Sequence, residues 1–154
     1  KLNKDLRLFL IGTGSKEKVI RAKIKKYNIE NYIYMPGWVL KNEMNDYLLS
    51  SDIYVSNSYT DGSSVSLLEA MMCGLSPIVT KIESIEEWVE NNYNGFLVDI
   101  NKPNDFINKI LILSKSKNKL NIFKKRNLDI ANKRLNWENN FNILQNIYNK
   151  LTNG

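Results

Sequence analysis

Histidine is absent from this 154-residue sequence, and Cys73 is its only thiol. Without imidazole and without a second cysteine, the common zinc constellations, Cys/His pairs, His-based catalysis and an internal disulfide are all excluded. The expectation is a site with no metal and no bound cofactor. A lone cysteine in an apolar stretch fits a reducing, cytoplasmic setting. Long apolar runs are missing as well. The longest, residues 6–11 and 110–113, fall far short of the ~20 residues that span a bilayer. The chain opens on Lys1 with no Met and no signal-like segment, and its first strand pattern begins at once. This reads as a piece of a longer protein. No internal repeat or low-complexity linker interrupts it, so its length predicts one domain, 1–154.

What is present is ordinary for a globular chain, with 43% hydrophobic and 25% charged residues, which argues against disorder. A net charge of +6 raises the question of nucleic acid. The lysines, however, are spread along helical patterns such as Lys16, Lys18, Lys23, Lys25 and Lys26. Solvated helix faces account for them, and no nucleic-acid partner is expected. Attraction to an anionic membrane surface or to a phosphate-bearing ligand stays open as a weaker use of the charge.

Short apolar runs alternate with helical patterns. Strands are expected over 6–11, 31–35, 53–56, 77–80 and 96–98, separated by glycine or proline turns. Helices are expected over 42–49, with Asn42 as cap and Met44, Tyr47 and Leu48 inward, over 84–90, and from Pro103 to the end. This alternation predicts an α/β fold with a Rossmann-like parallel sheet, helices on both faces and C-terminal helices packed at the end. Ligands of such folds bind beyond the carboxyl ends of the strands. The loops 12–15, 36–40, 57–64 and 80–84 are therefore the ones to inspect.

The third of these carries the chemistry. Asp61-Gly62-Ser63-Ser64 leads into an apolar helix, whose first N–H groups lack partners and suit an anion or a sugar hydroxyl. Gly62 permits close backbone approach, and Ser63 or Ser64 can cap the helix. An ordinary capped helix would explain those residues without a ligand. It does not explain Glu69, a carboxylate crowded by Leu67, Leu68, Ala70, Met71 and Met72. A buried carboxylate requires charge-assisted hydrogen bonds. At ~1.5 Å per residue Glu69 lies ~8 Å beyond the helix start, so both acids can border one cleft and accept from polyol hydroxyls. A structural salt bridge from Glu69 to a nearby Lys or Arg is the rival.

Asp61, Glu69, Ala70, Met71, Gly74 and Pro77, in that order and spacing, resemble the signature of the C-terminal, donor-binding domain of GT-B glycosyltransferases. The type is glycosyltransferase family 4, or glycosyl transferases group 1. Leu10-Ile11-Gly12-Thr13-Gly14, Tyr34-Met35-Pro36-Gly37, Asn94-Gly95-Phe96-Leu97-Val98 and Trp137 with Tyr148 resemble further family segments in the same order. The resemblance implies retaining, metal-independent transfer from a nucleotide-diphosphate sugar. It makes Glu69 the acceptor for ribose hydroxyls and Asp61 the acceptor for a hydroxyl of the transferred sugar. The N–H groups around Gly62, Ser63, Ser64, Val65 and Ser66 would face the sugar and diphosphate. Gly12 and Gly14 would let backbone approach the diphosphate, and Trp38 or Val39, after Gly37, would wall the base. Glu87 falls on a family acid and is read as structural.

The departures are specific. Asp61 stands where the family usually has Glu, Ser63 and Ser64 where an aromatic and a proline are frequent, and Glu83-Ser84 where paired glycines are common. In the resemblance, the cations that neutralise the leaving diphosphate and the N-terminal acceptor domain precede Lys1. The chain alone is thus expected to bind nucleotide weakly and to transfer nothing. Its partners would be a nucleotide sugar, the N-terminal domain of the same protein and a peripheral membrane surface. A bacterial role in surface polysaccharide or glycoconjugate assembly at the inner face of the membrane completes the expectation. A nucleotide-sugar epimerase of the same fold and a basic nucleic-acid-binding module are the alternatives. A dinucleotide-binding oxidoreductase is disfavoured, because Gly12-Thr13-Gly14 lacks the third glycine of that fingerprint.

Overall fold

A computed structural model describes residues 6–152. The chain forms two compact units, Lys1–Tyr47 and Leu48–Gly154. In the first, β1 (Leu8–Ile11) leads through a glycine turn into α1 (Glu17–Lys26), and a 3₁₀ turn at Glu30–Tyr32 precedes β2 (Ile33–Gly37). The two strands pair in parallel from Leu8 opposite Ile33 to Ile11 opposite Gly37, with one irregularity between. Asn31 and Tyr32, expected in the strand, close the 3₁₀ turn instead, so β2 begins two residues later. Helix α2 (Lys41–Leu49) is started by Glu43, whose carboxylate accepts the Leu40 N–H at 2.9 Å, so Asn42 is not its cap. Met44, Tyr47 and Leu48 are half-buried as the pattern predicts. Tyr47 packs edge-on to Phe9, with ring centroids 5.2 Å apart.

The second unit runs β3 (Ile53–Ser56), α3 (Val65–Met72), β4 (Ser76–Thr80), α4 (Glu83–Glu86), β5 (Phe96–Val98), α5 (Pro103–Ser114), α6 (Lys117–Arg134) and α7 (Trp137–Thr152). Its strands form a parallel sheet in the order β3-β4-β5, and every residue of the central strand is buried. Strand alternation divides the core between the two faces. Val79 packs with Leu67 and Met71 of α3 and with Ile85 and Val89, whereas Ile78 packs with Phe96, Val98, Leu113 of α5 and Phe123 of α6. Helices therefore cover both faces of this sheet, as the sequence predicts. Helix α7 carries no buried residue among those described, and Trp137, Phe141, Leu144, Tyr148 and Leu151 lie exposed along one stripe. Among the described residues no helix is long and apolar enough to cross a membrane.

Two local features fix the strand ends. Helix α3 stops in a Schellman turn, in which the Gly74 N–H bonds to the Met71 carbonyl and the Leu75 N–H to the Ala70 carbonyl, both at 2.9 Å. Gly74 has φ +79°, and a Cβ there would sit 2.9 Å from Lys124 Cγ. Gly74→Ala is expected to cost about 1 kcal/mol, read as a lower urea midpoint; an unchanged midpoint would show that the turn tolerates a side chain.

The second feature is a buried clasp. The Asn127 amide donates to the carbonyls of Leu75 (2.8 Å) and Asn94 (2.9 Å), and accepts from the Asn94 amide at 2.9 Å. The Asn94 amide in turn donates to the Trp88 carbonyl, and its side-chain oxygen accepts from the Glu90 N–H. By capturing those two backbone groups it draws the chain out of helix, which explains why α4 is four residues long and not the expected 84–90.

Candidate functional site

In the second unit the loop 57–64 leaves the carboxyl end of β3, and the segment that begins α4 leaves the carboxyl end of β4. Asp61 is half-buried, Gly62 and Ser63 are exposed, and Ser64 is 3% exposed at the N-cap position of α3. The sequence expects Ser63 or Ser64 to cap this helix. Neither side chain does so: Ser64 has φ −72° and ψ 81°, short of the extended geometry that aims a capping hydroxyl at the first turn, and its Oγ is buried without a hydrogen-bond partner. The Val65 N–H is taken by the Ser63 carbonyl at 2.8 Å. The N–H groups of Ser66 and Leu67 then open α3 with no intrahelical acceptor. The start of α3 thus holds a buried hydroxyl without a partner and two backbone donors without intrahelical acceptors.

Glu69 is half-buried, not enclosed. The apolar crowd around it in sequence splits by helical phase: Leu67, Ala70 and Met71 go to the core, while Val65 and Met72 are exposed. The strict burial argument for Glu69 is thereby corrected. The rival salt bridge is also missing, since among the described residues no cation pairs with Glu69 or Asp61. Both carboxylates are left with unused acceptor capacity. Cys73 lies at the C-cap of α3, where burial pushes its thiol pKa up and the Glu69 carboxylate pushes it the same way.

Three residues given no site role from the sequence belong to this neighbourhood. The Ser84 hydroxyl donates to the Asp61 carbonyl at 2.7 Å, tying the loop after β3 to α4. The hydroxyls of Tyr54, in β3, and Ser66 are 2.7 Å apart. Thr80, the last residue of β4, is buried with its hydroxyl unpartnered. Glu87, read from the sequence as structural, is engaged by α6. Its carboxylate and carbonyl accept from Arg134 at 2.8 and 2.7 Å, and that guanidinium lies over the Trp88 ring. A cleft of about 560 Å³ beside Trp88 and Arg134 contains none of the predicted site residues.

In the first unit Gly12 and Gly37 meet at the strand ends, the Gly12 N–H donating to the Gly37 carbonyl at 2.7 Å. Their φ values of +111° and +82° require glycine. Trp38 is 71% exposed and Val39 is half-buried. Gly14 differs from its neighbours, as does Gly62 in the second unit. Neither has a positive φ, and a Cβ at either would meet nothing of the chain within 4 Å.

Comparison with known proteins shows the family and the fold. A family model described as glycosyl transferases group 1 matches residues 1–129. An uncharacterized glycosyltransferase of Methanocaldococcus jannaschii is 31% identical over 99% of this chain and 40% of its own length. The UDP-Gal:alpha-D-GlcNAc-diphosphoundecaprenol alpha-1,3-galactosyltransferase of Escherichia coli is 32% identical over 78% of this chain and 29% of its own. The chain thus spans less than half the length of these curated relatives. A mutant of S. aureus TarM, solved in complex with Fondaparinux, alpha-GlcNAc-glycerol and UDP, shares the fold with a TM-score of 0.83 at 22% identity, over 96% of this chain and 30% of TarM. With its parallel sheets, flanking helices and matched segments, the chain belongs to the glycosyl transferases group 1 family and has the fold of a GT-B C-terminal domain.

Proposed function

We propose that the chain is the donor-binding domain of an enzyme that transfers a sugar from a nucleotide diphosphate to an acceptor, with retention of anomeric configuration and without a metal, in polysaccharide or glycoconjugate assembly. The observation that carries this reading is the start of α3: a Ser64 hydroxyl buried without a partner, beside free backbone donors and a glycine, Gly62, that the fold itself does not require. A buried hydroxyl without a partner is costly unless a ligand or water completes it.

In this reading Glu69 accepts from the ribose hydroxyls and Asp61 from a hydroxyl of the sugar. The backbone of Gly62, Ser63, Ser64, Val65 and Ser66 faces the sugar and diphosphate. Positive potential at the helix start stabilises the charge that develops as the nucleotide diphosphate departs. Taken by itself, the first unit leaves the backbone at Gly12 and Gly14 open to a phosphate, and Trp38 offers a ring face to a base. The acceptor site and the leaving-group cations are assigned to an N-terminal domain of the same protein. The enzyme would work in the cytoplasm, at the inner membrane surface where a lipid-linked acceptor is presented. This chain alone would bind donor weakly and transfer nothing.

Calorimetric titration of the full-length protein with UDP-, GDP- and ADP-glucose tests the reading. One base is expected to bind preferentially. Gly62→Ala should weaken that ligand about tenfold, as a methyl forced into an occupied space does, with no loss of melting temperature. If none of the three binds, or if Gly62→Ala leaves the affinity unchanged, the donor reading fails.

A further inference from the structure

Asp61 sits in a loop whose own residues give it little support. Gly62 and Ser63 are exposed, and Asn57, Tyr59 and Thr60 on the other side are exposed as well. The anchor comes from elsewhere: Ser84, half-buried near the start of α4, donates its hydroxyl to the Asp61 carbonyl at 2.7 Å, at the short end of hydrogen-bond range. The two residues are 23 apart in sequence, and their loops leave adjacent strands of one sheet. The bond goes to main chain, so it leaves the Asp61 carboxylate free to accept while fixing the backbone from which that carboxylate projects. Aspartate is a short side chain, with one torsion fewer than glutamate. Its reach is set by where the backbone stands, and a displaced loop could not be corrected by a change of rotamer.

We propose that Ser84 is a positioning residue for the donor sugar, acting through the Asp61 backbone. This rests on the donor-site reading above. Ser84 adds nothing to the nucleotide contacts and tightens the grip on the sugar.

The test uses the full-length protein, the preferred one of UDP-, GDP- and ADP-glucose, and the corresponding nucleoside diphosphate. The quantity read is the gain in affinity that the sugar adds over the diphosphate alone. Ser84→Ala is expected to shrink that gain about fivefold, the effect of one lost hydrogen bond, and to leave diphosphate affinity unchanged. Ser84→Thr, which keeps the hydroxyl, should restore it. In an Asp61→Asn background Ser84→Ala should have little further effect, because residues acting as a unit are non-additive. An unchanged gain in Ser84→Ala, an equal loss for the bare diphosphate, or full additivity with Asp61→Asn would overturn the proposal. Should the alanine variant not fold, Ser84→Val against the isosteric Ser84→Thr makes the same comparison. Loss of the gain in Asp61→Asn with none in Ser84→Ala removes this inference alone. An Asp61→Asn variant that keeps the whole gain removes the sugar role of Asp61 itself, and the inference with it.

Discussion

Glu69→Ala is expected to lower donor affinity, and with it kcat/KM, about a hundredfold in the full-length enzyme. Two neighbouring ribose hydroxyls donating to one carboxylate make charge-assisted bonds of roughly 1.5–3 kcal/mol each. Glu69 is half-buried, so water repays part of the loss. A net ~3 kcal/mol corresponds to slightly more than two decades. Glu69→Gln, which keeps one acceptor oxygen, should fall between, near tenfold. Stability is the control. Among the described residues Glu69 has no ion pair, so its removal should leave the melting temperature unchanged or slightly raised. A variant that melts earlier yet binds donor normally would mean that the carboxylate is there for the fold.

The second large effect lies away from the site. Asn127→Leu is close to isosteric, but it removes the donors to the Leu75 and Asn94 carbonyls and the acceptor for the Asn94 amide. Asn94 and Asn127 are both 0% exposed, so no water replaces what is lost. Stranding buried polar groups costs about 1–3 kcal/mol apiece, and a total of roughly 3–5 kcal/mol is a large share of an ordinary domain's stability. A drop in melting temperature of about 10–15 °C is expected by calorimetry. A drop of only a degree or two would mean that the clasp relaxes around the leucine.

Much of the fold is readable from the residues because its signals are local. Apolar runs punctuated by glycine and proline place the five expected strands to within a residue or two, since both sheets are built from short apolar segments. The misses are long-range. The shortness of α4 depends on Asn94, and the depth of Asn94 depends on Asn127, 33 residues further along. No periodicity in residues 84–90 can report that. The same division holds at the site. Asp61, Gly62, Ser64 and Glu69 lie in one continuous run and can be picked out together. Ser84 and Thr80 arrive by way of the neighbouring strand, and their types are unremarkable in isolation. Glu69 illustrates a subtler limit: hydrophobic neighbours in sequence suggest enclosure, yet at 100° per residue only Leu67, Ala70 and Met71 turn to the core, which leaves the acid half open.

The asparagine clasp also bears on time as well as on free energy. It joins the chain after α3 to Asn94, two residues before β5, and to the middle of α6, across separations of 52 and 33 residues. Contacts of such span are unfavourable to close early, because the loops between them must be ordered first. The clasp should therefore be absent from the folding transition state and present only in the native state. Its loss in Asn127→Leu would then leave the refolding rate nearly unchanged and appear almost wholly as faster unfolding, so that what it governs is how long the native molecule persists before it opens.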